Sequence, residues 1–104
     1  MKRFRLSKAA ENDLRRIWRK GMEDWGEAQA EVYLRALDAC FHLLGEHPGM
    51  GHPSPEIREG YHSFPKGEHH IYYRPDGAEI FIARIRAQRM LPPKLTRGEG
   101  GAPS

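Results

Sequence analysis

Apolar and polar residues alternate over Phe4-Arg5-Leu6-Ser7, the period of a short strand. The period then lengthens. Ala10, Leu14, Ile17, Trp18, Met22 and Trp25 follow in steps of three and four, which places them on one stripe of a helix. Ser7 stands where its hydroxyl can accept a free N–H at the helix start. Asp13 early in this helix and Arg15, Arg16, Arg19 and Lys20 later agree with the helix dipole. Gly21 weakens the interior, and Gly26 ends or bends the helix. A second stripe, Ala30, Tyr33, Leu34, Leu37, Cys40, Phe41 and Leu44, predicts a helix from about Glu27 to Glu46. Arg35 and Asp38 on its other side are spaced for a mutual contact. Two amphipathic helices joined by two or three residues fold back as an antiparallel hairpin. Trp18, Trp25 and Tyr33 read as core aromatics.

Helical periodicity stops at His47. Three prolines and two glycines between His47 and Pro55 predict a loop, stiffened because each proline fixes its own φ. Strand patterns follow. Tyr61 to Pro65 is a short one, and His69 to Arg74 is rich in β-favouring side chains. Pro75-Asp76-Gly77 carries turn residues, and Glu79 to Arg86 is the strongest strand. That last strand is apolar on both faces in its first half, which suits a central position. The order predicts an α+β fold: an N-terminal strand, then an antiparallel helix hairpin packed on one face of a small antiparallel sheet. The other sheet face is too small for this chain to cover, so it is either solvated or open to a partner. Residues 1–96 form one domain. Residues 97–104, a Gly-rich tail without an apolar anchor, are expected to be disordered.

Length and composition narrow the class. The 104 residues make one domain with a modest core. Charges interrupt every apolar run, so no membrane span is expected, and no secretory leader is visible. A single cysteine, Cys40, cannot form an internal disulfide and suits a reducing cytoplasm. It lies on the apolar stripe and reads as a small core residue. A multi-cysteine zinc site is excluded. Net charge is +3, but its distribution says more. Residues 1–20 hold eight basic and two acidic side chains, residues 21–60 two and eight, and residues 61–104 seven and four. The chain is basic at both ends, acidic in the middle, and 12 of its 17 basic residues are arginine. Such a surface suits an acidic partner chain or a nucleic acid.

Candidate chemistry is sparse. His69 and His70, as neighbours in a strand, point to opposite faces and cannot share a metal. His47 and His52 bracket the Pro/Gly loop and read as solvated. The glycines match no phosphate-cradling spacing, so no cofactor is expected. The arginines are harder to dismiss. Arg74 ends one strand, Arg84 and Arg86 lie late in the next, and Arg89 follows. Alternation puts Arg84 and Arg86 on one face and Phe81, Ala83 and Ile85 on the other, taken as the core face. The arginines are then expected on the face away from the helices.

Together these residues resemble the ParE branch of the RelE/ParE toxin superfamily. The resemblance covers about residues 4–91. Leu6-Ser7, Ala10, Asp13-Leu14 and Ile17 carry it in the first helix, and Trp25-Gly26, Ala30 and Tyr33-Leu34 open the second. Leu44, Pro48 and Met50-Gly51 mark its exit. Arg58, Phe64-Pro65, Ile71, Tyr73-Arg74, Arg84-Ile85 and Gln88-Arg89-Met90 complete the series. The resemblance implies a type II toxin with a helix hairpin on a small sheet. It implies a cognate antitoxin of the ParD-like, ribbon-helix-helix kind, and DNA gyrase as target. Direct nucleic-acid binding is not expected outside the toxin–antitoxin complex. Arg58, Arg74, Arg84, Arg86 and Arg89 are the expected antitoxin- or target-binding residues. RelE-type relatives cut mRNA on the ribosome, which needs a general base, a general acid and a cation for the phosphorane. Tyr72, Arg58 and Arg84 would be the candidates for that role. Many ParE-like sequences carry a histidine just before the Gln-Arg pair, where this chain has Ala87. That argues against nuclease chemistry and for a toxin that acts by binding. The alternatives are a ribosome-dependent endoribonuclease and a degenerate toxin that only binds its antitoxin.

Overall fold

The computed structural model describes residues 2–89. The expected tail at 97–104, the end of the expected domain, and Met90 of the resemblance series lie outside the described residues. The elements are β1 (Phe4–Leu6), α1 (Lys8–Trp25), α2 (Glu27–Glu46), a 3-10 turn (Pro48–Met50), β2 (His52–Pro53), β3 (His62–Lys66), β4 (His69–Asp76) and β5 (Glu79–Ala87). The sheet order is β1-β5-β4-β3-β2. Strand β1 runs parallel to β5, and the other pairs are antiparallel, so the sheet is mixed rather than purely antiparallel. The α+β architecture is as expected. Among the described residues no helix is long and apolar enough to cross a membrane.

Ser7 caps α1: its Oγ accepts from Ala10 N–H at 2.9 Å and donates to Ala83 O at 2.7 Å, which ties the helix start to β5. The link between the helices is one residue, Gly26, shorter than expected. Its φ of 90° lies in the left-handed region that a side chain disfavours. The helices then close on small residues. A Cβ at Gly21 would stand 3.2 Å from the Ala30 Cβ, so this glycine is a packing contact and not merely a weak point. On α2 the expected Arg35–Asp38 contact does not form. Arg35 pairs with Glu31 and Asp38 with His42, each four residues apart.

The core lies between the hairpin and one sheet face. Leu37, Phe41 and Leu44 of α2 meet Phe4, Ile71, Tyr73, Ile80, Ile82 and Ile85. Cys40 is buried among them, and burial pushes its thiol pKa up. None of the three expected core aromatics is fully buried. Trp25 is 40% exposed at the end of α1, and Trp18 and Tyr33 are only half-buried. Met22 is exposed as well.

Three expectations about the strands are corrected. The β4–β5 turn is Gly77-Ala78, and Pro75 and Asp76 belong to β4. Pro75 fits there because it stands beyond the end of β3, where the pairing stops at Tyr73, so its missing N–H leaves no β3 partner unmet. A bulge interrupts the β4–β5 register: Tyr73 faces Ile82 and Tyr72 faces Arg84, which leaves Ala83 extra. The bulge breaks strict alternation. Ile80, Ile82 and Ile85 therefore face the helices, while Phe81 and Ala83 face away. Of the expected core face of Phe81, Ala83 and Ile85, only Ile85 lies against the helices, and Phe81 and Ala83 are corrected to the far face. Finally, the far sheet face is not left open by the chain. Residues 54–61 fold over part of it, and Tyr61 and Ile57 pack on Phe81 and Ala83. Ser54 N–H closes this loop on Tyr61 O at 2.8 Å.

Candidate functional site

Two surfaces carry unspent chemistry. The first is a groove on the helix hairpin, lined by Leu14, Trp18 and Leu34 with Arg15 and Arg19 beside them. It exists because the apolar stripe of α1 is wider than the face the core uses. Ala10, Ile17 and Gly21 are buried, while Leu14 and Trp18, one step round the helix, are only half-buried. Opposite them Leu34 is half-buried on α2. Arg15 and Arg19 are exposed. The result is an apolar floor with a basic edge.

The second surface is the far sheet face, where the structure separates the expected arginines. Arg74 faces Phe81 in the register and lies 4.8 Å over its ring, with Asp76 3.7 Å away. Arg5 lies over the same ring at 4.8 Å and pairs with Asp76 and Glu79. Those carboxylates hold the Arg5 pKa above its ordinary value against the opposing effect of burial. Arg84 faces Tyr72, yet its guanidinium reaches Asp13 of α1 through Nε at 2.8 Å and Nη2 at 3.1 Å. Asp13 is 5% exposed and Arg84 21%. Arg86 stands opposite His70. Its Nε–H is buried and meets no acceptor. Arg58 sits half-buried in the 54–61 loop and Arg89 is exposed just past β5. The expected set is thus two neutralised arginines, Arg74 and Arg84, and three others at separate places.

Tyr72 is on the far face, as alternation from Ile71 and Tyr73 requires, and is 4% exposed. Burial raises its pKa; Arg86 opposes this and Glu56 adds to it. Its ring meets that of His70 edge-on at 6.0 Å. At the corresponding end of the helix face, Tyr33 Oη binds three groups. It accepts from Glu68 N–H at 3.0 Å and lies 2.7 Å from His69 Nδ1 and 3.2 Å from Lys66 O. Burial lowers the His69 pKa. His69 also faces Ala87 across the ladder. His69 and His70 do lie on opposite faces, and among the described residues no three His, Cys, Asp or Glu side chains gather as a metal site.

The sequence reading missed Asp13, Glu56, His70 and the groove. Asp13 left a signal: it lies three residues after Ala10 and four before Ile17, so it shares their buried side of the helix. A carboxylate at such a position needs a partner.

Comparison with known proteins bears on what these surfaces serve. Residues 4–92 match the family model for the ParE toxin of type II toxin–antitoxin system, parDE. The chain is 41% identical over 90 residues to Toxin ParE1 of Caulobacter vibrioides, covering 86% of this chain and 93% of that one. It is 38% identical to Toxin ParE1 of Mycobacterium tuberculosis, covering 85% and 91%. The fold is similar to a solved chain of the chromosomal ParDE TA system from P. aeruginosa, with a TM-score of 0.70 at 20% identity over 84% of this chain and 96% of that one.

Proposed function

The chain belongs to the ParE toxin family of type II toxin–antitoxin systems, and from that premise we propose that it acts by binding, inhibiting DNA gyrase when free and neutralised by a cognate antitoxin. The observation that carries the partner is the hairpin groove. Leu14, Trp18 and Leu34 offer an apolar seat of helix-groove type, and Arg15 and Arg19 add positive charge at its edge. An amphipathic segment with acidic flanks fits both features, and a ParD-like antitoxin would supply it. Of the expected arginines, Arg58, Arg86 and Arg89 are left to meet the target, while Arg74 and Arg84 serve the fold.

A binding mode of action is supported by the state of the groups a nuclease would need. Arg84 is committed to Asp13. Burial makes the Tyr72 hydroxyl a weaker acid, so it is not poised to give or take a proton near neutral pH. The expected Tyr72, Arg58 and Arg84 set therefore lacks a ready proton shuttle.

The test is direct. Purified protein should block gyrase supercoiling without ribosomes present, and added antitoxin should restore it. Ribosome-dependent cuts in mRNA with supercoiling intact would replace this reading with an endoribonuclease. Neither effect, despite tight antitoxin binding, would leave a toxin that only complexes its antitoxin.

A further inference from the structure

Arg86 differs from the other sheet arginines in having no anion. Arg5, Arg74 and Arg84 each face a carboxylate. Arg86 is half-buried, and among the described residues none of the acids pairs with it. Its Nε–H is sealed from water without an acceptor. A partly desolvated cation in that state gains more from an anion at its remaining N–H groups than a solvated arginine does. The groups around it are also donors. His70 stands directly opposite Arg86 on β4. Tyr72 is two residues along the same face, and its ring is set edge-on to the imidazole. Tyr72 faces Arg84 while His70 faces Arg86, so Arg86 and Tyr72 are diagonal neighbours on adjacent strands.

We propose that Arg86, His70 and Tyr72 form a phosphate-binding subsite that takes a backbone phosphate of a nucleic-acid strand. A planar guanidinium, a hydroxyl and an imidazole N–H can share the two non-bridging oxygens of one backbone phosphate, which accept from several directions around a tetrahedral centre, whereas the acceptor directions of a carboxylate lie close to one plane. Glu56 of the 54–61 loop is the opposing group, because its carboxylate also acts on Tyr72. As a like charge it opposes any anion bound there. The proposal does not depend on gyrase as target, since it concerns binding by the isolated chain.

The full chain is titrated in turn with inorganic phosphate, a short single-stranded DNA, sodium acetate and a glutamate-rich peptide. Backbone amides of residues 70, 72 and 86 and the Arg86 Nε–H are followed by NMR. Phosphate and DNA should both shift these signals saturably, with DNA the tighter ligand. Arg86→Gln should weaken both by about tenfold or more, the scale of one lost hydrogen bond to a charged group. Glu56→Gln should tighten both by about two- to threefold, the value of one removed like charge near the surface. The opposite signs of these two variants separate a charge effect from loss of fold, and a thermal melt of each checks the latter. Saturable phosphate binding without a gain from DNA would reject the nucleic-acid ligand. Acetate or the peptide binding as tightly as phosphate, or an Arg86→Gln variant that binds normally, would overturn the subsite itself.

Discussion

Asp13 and Arg84 join the first helix to the last strand through two hydrogen bonds, from Nε at 2.8 Å and Nη2 at 3.1 Å. The same carboxylate accepts the backbone N–H of Ile85 at 2.9 Å. Strand β1 pairs with β5 only as far as Ile82, so the β5 edge beyond that point has no strand beside it. Asp13 takes the place of the missing strand for one rung. It also fixes Arg84, which follows the Ala83 bulge, and so holds the end of β5 where Arg86 is displayed.

Removal of this carboxylate should therefore cost more than a surface ion pair would. Asp13→Ala strands the Arg84 guanidinium and the Ile85 N–H together. Breaking a buried pair costs about 3–5 kcal/mol. Arg84 retains some solvent contact, so the low end of that range, about 3 kcal/mol, is expected here. Asp13→Asn keeps an acceptor for Ile85 and should lose less. Urea midpoints of the two variants check the order. Equal midpoints would mean that the Ile85 hydrogen bond contributes nothing.

The loop after α2 is positioned by contact and not by composition alone. Tyr73 Oη donates to Pro48 O at 2.6 Å and accepts from Gly51 N–H at 2.9 Å. A Cβ at position 51 would overlap the Tyr73 hydroxyl and ring. Gly51→Ala should destabilise the fold by about 1–3 kcal/mol, the usual cost of overpacking. Leu37→Ala in the same preparation calibrates a pure cavity, at about 2–5 kcal/mol. If Gly51→Ala matched wild type in a denaturant melt, the Tyr73 clamp would not be rigid.

Much of this architecture was legible in the sequence. The bounds of α2 were read as Glu27 to Glu46 because a single apolar stripe persists over five turns and Pro48 ends it. Ser7 was legible because capping is a local rule. The faces of β5 were not. Ile-Phe-Ile-Ala-Arg-Ile is apolar at consecutive positions, so alternation cannot say which set is inside, and the bulge at Ala83 depends on pairing with β4. The cover on the far face was hidden for a similar reason. Pro55 to Gly60 reads as a polar loop, and only Tyr61 and Ile57 of this region pack on the sheet. The groove was read as core because periodicity gives the width of an apolar stripe but not the share of it that the protein itself buries.

His69 makes stability depend on pH. Burial holds its folded pKa below the ordinary value near 6.5. Glu68 and Asp13 act in the opposite sense but more weakly, and Tyr33 and Lys66 are its other polar neighbours. Above about pH 6.5 the imidazole is neutral in both folded and unfolded chains, and its full contribution is present. As pH falls below that value the unfolded chain takes up the proton first, so stability declines until the folded pKa is passed. The decline should be shallower in His69→Gln. An NMR titration of wild type that placed the His69 pKa at or above 6.5 would contradict this.

The hairpin groove makes the most specific claim about the antitoxin. Trp18 is its largest side chain and is half-buried before any partner arrives, so its truncation removes contact area at low cost in new disorder. Large aromatic anchors of this kind lose about 2 kcal/mol or more of binding when cut to alanine, which is about thirtyfold in affinity. Trp18→Ala should show that loss in calorimetry with purified antitoxin. Arg15→Glu with Arg19→Glu should act differently. Arg15 bonds only Asn12 on its own helix and both side chains are exposed, so the fold should tolerate the reversal. Rim charges act mainly on encounter, so the double reversal should slow association and invert its salt dependence. Arg86→Gln should leave antitoxin affinity unchanged, because Arg86 lies on the sheet and not on the hairpin. Wild-type affinity in Trp18→Ala, with a loss in Arg86→Gln, would move the antitoxin from the hairpin to the sheet.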